Sequence, residues 1–348
     1  MPSPVAVRLR RNVARSIRAG HPWVYAEAVA APSGLPAGSV VDVLDAAGRF
    51  LARGIWDPGS PIAVRVFSRD PSAAIDRSFV AGRFRAAAES RAATLDLATT
   101  DAYRAVHGEA DGLPGVICDR YADTAVLAFD GDGPAALRPW VVEAAGALDG
   151  VRRVVERRTK RAGSPRKPPE TSAVVLAGDA PPAPLLVTEH GMRLEADVVA
   201  GHKTGLYLDQ RENRRRVGLL ADGRRTLNLF SYTGGFTVAA ALGGATATAS
   251  VDVSRPALDA ARRNLARNGI EAGDRHRLIA TDAFEFLAEA GARRERWELI
   301  VSDPPSFAPN RAARPKAIAA YRRLHAALLG LAAPGARILA CSCSSHVD

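Results

Sequence analysis

The chain has 348 residues, 47% of them hydrophobic and 24% charged, with three cysteines and a formal net charge of +10 at pH 7. That length allows two or three domains with sizeable cores, and the basic excess points to a polyanionic partner, nucleic acid above all, or to an Arg-rich composition without purpose. Three sparse cysteines exclude a disulfide framework, and no stretch reaches a signal-peptide core or the ~18 apolar residues of a spanning helix, so the expectation is a cytoplasmic protein with no membrane association.

Residues 1–70 read as a small β-barrel with basic loops. A basic stretch from Arg8 to Arg18 leads into His21-Pro22-Trp23-Val24-Tyr25. VVDVLDAAGRFLARGIWD then places two apolar runs around a polar turn at Asp45–Gly48, and IAVRVFS alternates as a third strand. Residues 71–184 form a central α/β region. An Ala-rich helix is predicted from Arg77 to Leu97, then strands VICDRY and TAVLAF around Ala122-Asp123, a helix from about Ala135 to Leu148, and strand VRRVVER. KRAGSPRKPPETS, dense in Pro, Lys and Arg, reads as a loop or linker. Arg157, Arg158, Lys160, Arg161, Arg166 and Lys167 in and before it are candidates for RNA contact, with a solvated loop as the alternative.

Residues 185–348 alternate strand and helix. LLVTEH and MRLEADVV form a hairpin around Gly191. Strands TLNLF, ATASVD, HRLIAT, WELIVS and ARILACS follow, with helices to Leu242 and over Arg255–Asn268, Ala283–Ala290 and Lys316–Leu331 between them. Repeated βα units of this length predict a Rossmann-like parallel sheet covered on both faces, with ligands beyond the carboxyl ends of its strands.

The polar motifs fall at those ends. The first strand runs into Asn228-Leu-Phe230-Ser231-Tyr232-Thr-Gly234-Gly235-Phe236. Its two glycines allow a tight turn and close approach to a ligand, and the following helix offers free N–H groups to a carboxylate. The spacing is not the G-x-G-x-x-G of a dinucleotide fold. The second strand ends in Asp252-Val253, where a carboxylate meets ribose hydroxyls. The third ends in Asp282-Ala283-Phe284, placed for an adenine amino group and ring. A turn glycine or a helix-capping Asp explains each piece alone; three in register at successive strand ends predict a nucleoside-type cofactor.

GHKTGLYLDQRENR, LNLFSYTGGFTVAAALGGA, SVDVSRPALDAARRNLARNG, DPPSFAP and CSCSSH closely resemble the bacterial large-subunit (23S) rRNA cytosine-C5 methyltransferases that carry an N-terminal PUA domain. The likeness is nearly continuous from Gly201 to His346 and weaker in HGEADGLPGVICDRYAD and GHPWVY. It implies a PUA domain, a central α/β domain and a class I methyltransferase domain that uses S-adenosyl-L-methionine. It also implies that Gln210, Ser231, Tyr232, Asp252, Asp282 and Asp303 surround the cofactor, together with Phe230, Gly234, Gly235, Val253 and Ala283.

Cytosine C5 is a poor nucleophile until a thiolate adds to C6, so this chemistry needs a cysteine beside the methyl donor. Cys343, in Ser342-Cys343-Ser344 at the end of the fifth strand, is the nucleophile the resemblance assigns; Cys341, two residues deeper, reads as packing. Asp303-Pro304-Pro305 ends the fourth strand, with Asp303 set to bond the cytosine edge and Phe307 to stack on the base. Lys203, Arg211, Arg214, Arg215 and Arg216 are candidates for phosphate contact or for the solvated face of a helix. No metal is called for. The chain stops five residues after Cys343, where such sheets usually continue: either the sequence is a fragment, or the sheet ends there in a bare edge strand that a second copy could cover as a homodimer. Two rivals remain: a guanine methyltransferase of the same fold, which needs no thiolate, and a non-catalytic RNA-binding protein that retains the cofactor fold.

Overall fold

The computed structural model describes residues 4–30, 34–160, 170–201, 203–308 and 311–344. The N-terminal part supplies β1 (Val5–Leu9), α1 (Ala14–Arg18), β2 (Trp23–Tyr25), β3 (Val29–Ala30), β4 (Val40–Leu44), β5 (Phe50–Trp56) and β6 (Ile62–Ser68). They form a nearly closed, barrel-like sheet in the order β2-β6-β5-β4-β1-β3. The turn between β4 and β5 is the one the sequence predicts. Gly48 takes φ +80° and Asp45 accepts the amides of Ala47 and Arg49, both at 3.0 Å. Those hydrogen bonds hold the Asp45 carboxyl below the usual carboxylate range.

Next come α2 (Arg77–Thr94), β7 (Ala102–His107), β8 (Val116–Tyr121), β9 (Thr124–Phe129), α3 (Asp132–Ala135), α4 (Arg138–Gly146), β10 (Arg153–Lys160) and β11 (Glu170–Ala177). The strands make a sheet ordered β11-β10-β9-β8-β7. Asp76 caps α2 by accepting the amide of Phe79. The stretch read as a linker is therefore partly a strand, because Glu170–Ala177 pairs antiparallel with β10. Arg161, Arg166 and Lys167 lie outside the described residues. Arg157 is not a surface cation. It is 6% exposed, and its guanidinium donates to the carbonyl oxygens of Val199 and, at 2.7 Å, Gly201. Arg158 donates to Glu156 at 2.7 Å.

A hairpin, β12 (Leu185–Glu189) and β13 (Met192–Ala196), precedes α5 (Arg211–Leu220). The chain then alternates: β14 (Arg225–Leu229), α6 (Gly235–Leu242), β15 (Ala247–Asp252), α7 (Arg255–Arg267), β16 (His276–Ala280), α8 (Ala283–Ala292), β17 (Trp297–Ser302), α9 (Arg314–Leu331) and β18 (Ala332–Ala340). All neighbouring strands run parallel in the order β16-β15-β14-β17-β18. Leu227, Leu229, Ala249, Val251, Ile300 and Val301 are fully buried, as expected of strands covered on both faces. Helix α7 turns Ala257, Leu258, Ala261 and Leu265 inward and is capped by Ser254. Strand order reverses between β14 and β17, so a crevice opens beyond their carboxyl ends.

The contacts divide the chain into two units, residues 1–187 with 196–208, and residues 188–195 with 209–348. The first holds both N-terminal sheets, the second the parallel sheet. No described helix is long and apolar enough to cross a membrane.

Candidate active site and cofactor cleft

Beyond β14 the backbone is strained. Phe230 and Tyr232 take φ of 57° and 47°, a region that costs non-glycine residues about 1–3 kcal/mol each. The turn is held from several sides. Ser231 N donates to Val251 O at 3.0 Å, and Tyr232 N to Asp252 Oδ2 at 2.8 Å. Asn264 on α7, fully buried, donates to Thr233 O at 2.8 Å and accepts the amide of Glu195 at 2.8 Å.

The glycine pair is required by the surrounding protein as well as by the tight turn the sequence suggests. Gly234 has φ +75°, and a Cβ there would sit 2.7 Å from the Cβ of Ala261. A Cβ on Gly235 would sit 2.9 Å from Cδ of Arg214. Both glycines thus pack closely against protein. Gly234→Ala is expected to lower stability by about 1–3 kcal/mol, read as a drop in thermal midpoint, since strain and overlap act together.

Arg214 itself corrects a second expectation. It is 5% exposed and forms a two-pronged pair with the fully buried Glu189, Nε to Oε1 at 2.6 Å. Its neighbour Arg211 donates to Glu212 at 3.0 Å, and Arg215 lies 3.8 Å from the same carboxylate. Lys203, in the other unit, rests its ammonium 4.5 Å from the centre of the Tyr207 ring.

At the second strand end, each Asp252 oxygen accepts one backbone amide, from Tyr232 at 2.8 Å and Ser254 at 2.9 Å. Each oxygen keeps a further lone pair. Val253 beside it is 70% exposed. At the third, Asp282 Oδ1 caps α8 through the amides of Phe284 and Glu285, which leaves Oδ2 without a role in the cap. Ala283 is buried in the core, so only its backbone can serve a ligand. Phe284 is taken up elsewhere, under the Arg323 guanidinium at 4.2 Å.

Across the crevice, Asp303 Oδ2 accepts Gln210 Nε2 at 3.2 Å. Asn213 fixes that amide by donating to Gln210 Oε1 at 2.7 Å. Gln210, expected beside the cofactor, thus also orients Asp303. Cys341 is half-buried with Sγ 3.9 Å from the same Oε1, and burial, reinforced by the Asp303 charge, pushes its thiol up to about 11. Cys343 is exposed, three residues past the end of β18, with Sγ 4.0 Å from Pro304 O. Sequence reasoning missed what holds it there. The Tyr321 hydroxyl sits 3.1 Å from Ser342 Oγ and 3.0 Å from Ser344 Oγ, and Ser306 Oγ lies 3.2 Å from Ser344 Oγ. Phe307 packs on the Tyr321 ring at 4.9 Å.

Ser231 Oγ and Ser302 Oγ, at the loop after β14 and the end of β17, are buried without a partner among the described residues. Leu229 and Ser302 are paired in register, so these orphaned hydroxyls flank the crevice. Buried polar atoms of this kind call for a ligand or water.

Comparison with known proteins agrees with this geometry. Residues 157–347 match the family model of S-adenosylmethionine-dependent methyltransferases, and residues 7–69 a PUA-like domain. A ribosomal RNA large subunit methyltransferase I from Erwinia tasmaniensis is 37% identical over 98% of this chain and 86% of its own length. The chain belongs to this S-adenosylmethionine-dependent methyltransferase family. Another member, the ribosomal RNA large subunit methyltransferase of Deinococcus radiodurans, is 40% identical over 100% of this chain and 87% of its own length. Among solved structures, a proposed methyltransferase complexed with SAH superposes with a TM-score of 0.78 at 24% identity, covering 95% of this chain and 83% of that one. A chain from Streptococcus mutans proposed to be a SAM-dependent methyltransferase gives 0.77 at 22%, covering 94% and 83%. These two establish the fold. The cofactor of this methyltransferase is S-adenosyl-L-methionine, and its N-terminal sheet is the PUA-like domain.

Proposed function

We propose that this methyltransferase modifies C5 of cytosine in large-subunit ribosomal RNA through a transient bond between Cys343 Sγ and C6 of the base. One observation carries the reading: an exposed thiol is pinned against the Asp303-Pro304-Pro305 turn beside the cofactor crevice. A methyl transfer to a ring or amino nitrogen of guanine would have no use for it.

S-Adenosylmethionine supplies an electrophilic methyl group. Asp252 would hold the ribose hydroxyls with its remaining lone pairs, Val253 and Asp282 would meet the adenine, and Ser231 would satisfy its orphaned hydroxyl on the same ligand. Phe230, Tyr232 and the glycine turn shape the backbone around it. On the acceptor side, Asp303, oriented by Gln210, would bond the cytosine edge, with Pro304 and Phe307 bounding the base. Cys343 as thiolate adds to C6, which makes C5 carbanion-like and able to take the methyl. With the methyl transferred, S-adenosylhomocysteine is the by-product; a base then takes the C5 proton, the C5–H electrons re-form the C5–C6 double bond, and the S–C6 bond breaks to return Cys343 as thiolate. Cys341 suits the role less well, because it is half-buried against Gln210 and burial beside the Asp303 charge raises its thiol and disfavours the thiolate. The target base must leave its stack, so RNA is held through backbone charge and shape, and binding should weaken steeply with salt.

RNA carrying 5-fluorocytidine tests the covalent step, because fluorine at C5 cannot leave as a proton. A denaturation-resistant protein–RNA adduct is expected with the wild type. Turnover of ordinary RNA without any such adduct would contradict the mechanism. Tyr321→Phe tests the positioning of Cys343: removal of the hydroxyl that bridges Ser342 and Ser344 should lower kcat about ten- to hundredfold. Affinity for the cofactor, measured by calorimetry, should not change.

A further inference from the structure

In the unit that holds the two N-terminal sheets, Gly20, Pro22, Arg69, Arg83, Glu109 and Gly112 are among the residues enclosing a cavity of about 460 Å3. Its carboxylates are already engaged. Glu109 Oε1 accepts Trp23 Nε1 at 2.8 Å and the buried Arg65 at 3.3 Å, and Asp111 is held by both terminal nitrogens of Arg91 at 2.6 Å. Its cations are not neutralised in return. Arg69 donates to carbonyl oxygens, Ile17 O at 2.8 Å and His21 O at 3.1 Å. Arg83 is half-buried over the Phe79 ring, 4.9 Å from its centre, and neither guanidinium pairs with a carboxylate among the described residues. The cavity therefore carries surplus positive charge.

Three aromatic residues on and beside β2, the edge strand of the PUA-like sheet, are tied to the cavity walls: Trp23 donates to Glu109, and His21 O accepts Arg69. The centroids of His21, Trp23 and Tyr25 lie 5.9, 6.3 and 6.5 Å apart. The Trp23 indole is fixed by Glu109, itself a wall of the cavity, while Tyr25 is 43% exposed. Open π-faces next to unneutralised guanidiniums match an unstacked nucleotide, which offers a free base and a phosphate together. A duplex offers the phosphate but no open base face.

We propose that this cavity and these aromatic residues bind one nucleotide of single-stranded RNA, the base against Tyr25, Trp23 and His21 and the phosphate on Arg69 and Arg83. The proposal rests on the reading that the substrate is RNA, and it places a second grip outside the methyltransferase unit. The test uses the full chain and a fluorescent single-stranded oligoribonucleotide of about twelve residues, with a hairpin duplex of equal composition as comparator. Tyr25→Ala and Arg83→Gln should each weaken single-strand binding about tenfold and leave duplex binding unchanged. Arg83→Gln should also lower the slope of log affinity against log salt by about 0.7, whereas Tyr25→Ala should not alter it. Both side chains are at least partly exposed, and a preserved thermal midpoint checks that the variants fold. Wild-type affinity in either variant, or equal loss on duplex and single strand, overturns the nucleotide site. Methyl transfer to ribosomal RNA, assayed on the wild type in parallel, separates that failure from failure of the substrate reading.

Discussion

Replacement of Cys343 by alanine is expected to abolish methyl transfer, by about 10³-fold or more, while affinity for S-adenosylmethionine stays within about twofold of the wild type. The split follows from geometry. Cys343 approaches Pro304 O, on the acceptor side of the crevice, whereas the groups offered to the cofactor sit at the ends of β14, β15 and β16. Cysteine 341 serves as the internal control. Its half-buried thiol lies against Gln210, so Cys341→Ala should retain most of the turnover, with a modest loss through the Gln210–Asp303 contact. Single-turnover assays with labelled cofactor, paired with calorimetric titration, read both arms. Turnover retained by Cys343→Ala would remove the covalent mechanism and favour nitrogen as the acceptor.

The largest effect on stability is expected at Arg214. Arg214→Ala leaves Glu189, fully buried, without its counter-charge, and such breakage costs about 3–5 kcal/mol. The damage should also reach the cofactor loop, because Gly235 packs against the Arg214 side chain at the first turn of α6. Replacing both partners with methionine removes the uncompensated charge along with the pair, and should recover most of the loss. Urea unfolding of the two singles and the double gives the comparison. A single substitution costing under about 1 kcal/mol would mean that Glu189 finds water or another partner, and that the pair does not brace the loop.

The contrast between these two residues shows what a chain's own pattern reveals. The placement of Cys343, Asp252, Asp282 and Asp303 at one end of the sheet was legible because each lies at or just past the carboxyl end of a strand, and a parallel sheet brings those ends to one crevice. The strands themselves were legible from apolar runs bounded by turns, and Ile62–Ser68 and Val116–Tyr121 fall where the sequence places them. Arg214 was read as solvated or phosphate-bound because its partner Glu189 lies on another element, and charge pattern along one helix cannot show it. Arg157 misled for a related reason. It sits in a basic run, yet carbonyl oxygens of residues 199 and 201 satisfy it in the interior. The same holds for Asn264, which ties the strained loop to β13, and for Tyr321, which holds the Cys343 segment. All are choices of partner made by tertiary packing. The glycine pair shows a subtler gap: the tight turn was visible, but the protein atoms that forbid a Cβ on Gly234 and Gly235 were not. The prolines and cations of residues 160–172 likewise hid a strand, since β11 is fixed by pairing with β10 more than by its own composition.

The most direct test is methyl transfer from labelled S-adenosylmethionine to ribosomal RNA lacking its natural methylation, followed by mapping of the product base. The predicted result is label at C5 of a cytosine in large-subunit RNA, lost with Cys343→Ala. Label on a guanine, or no transfer by the folded wild-type chain in the presence of bound cofactor, would contradict it.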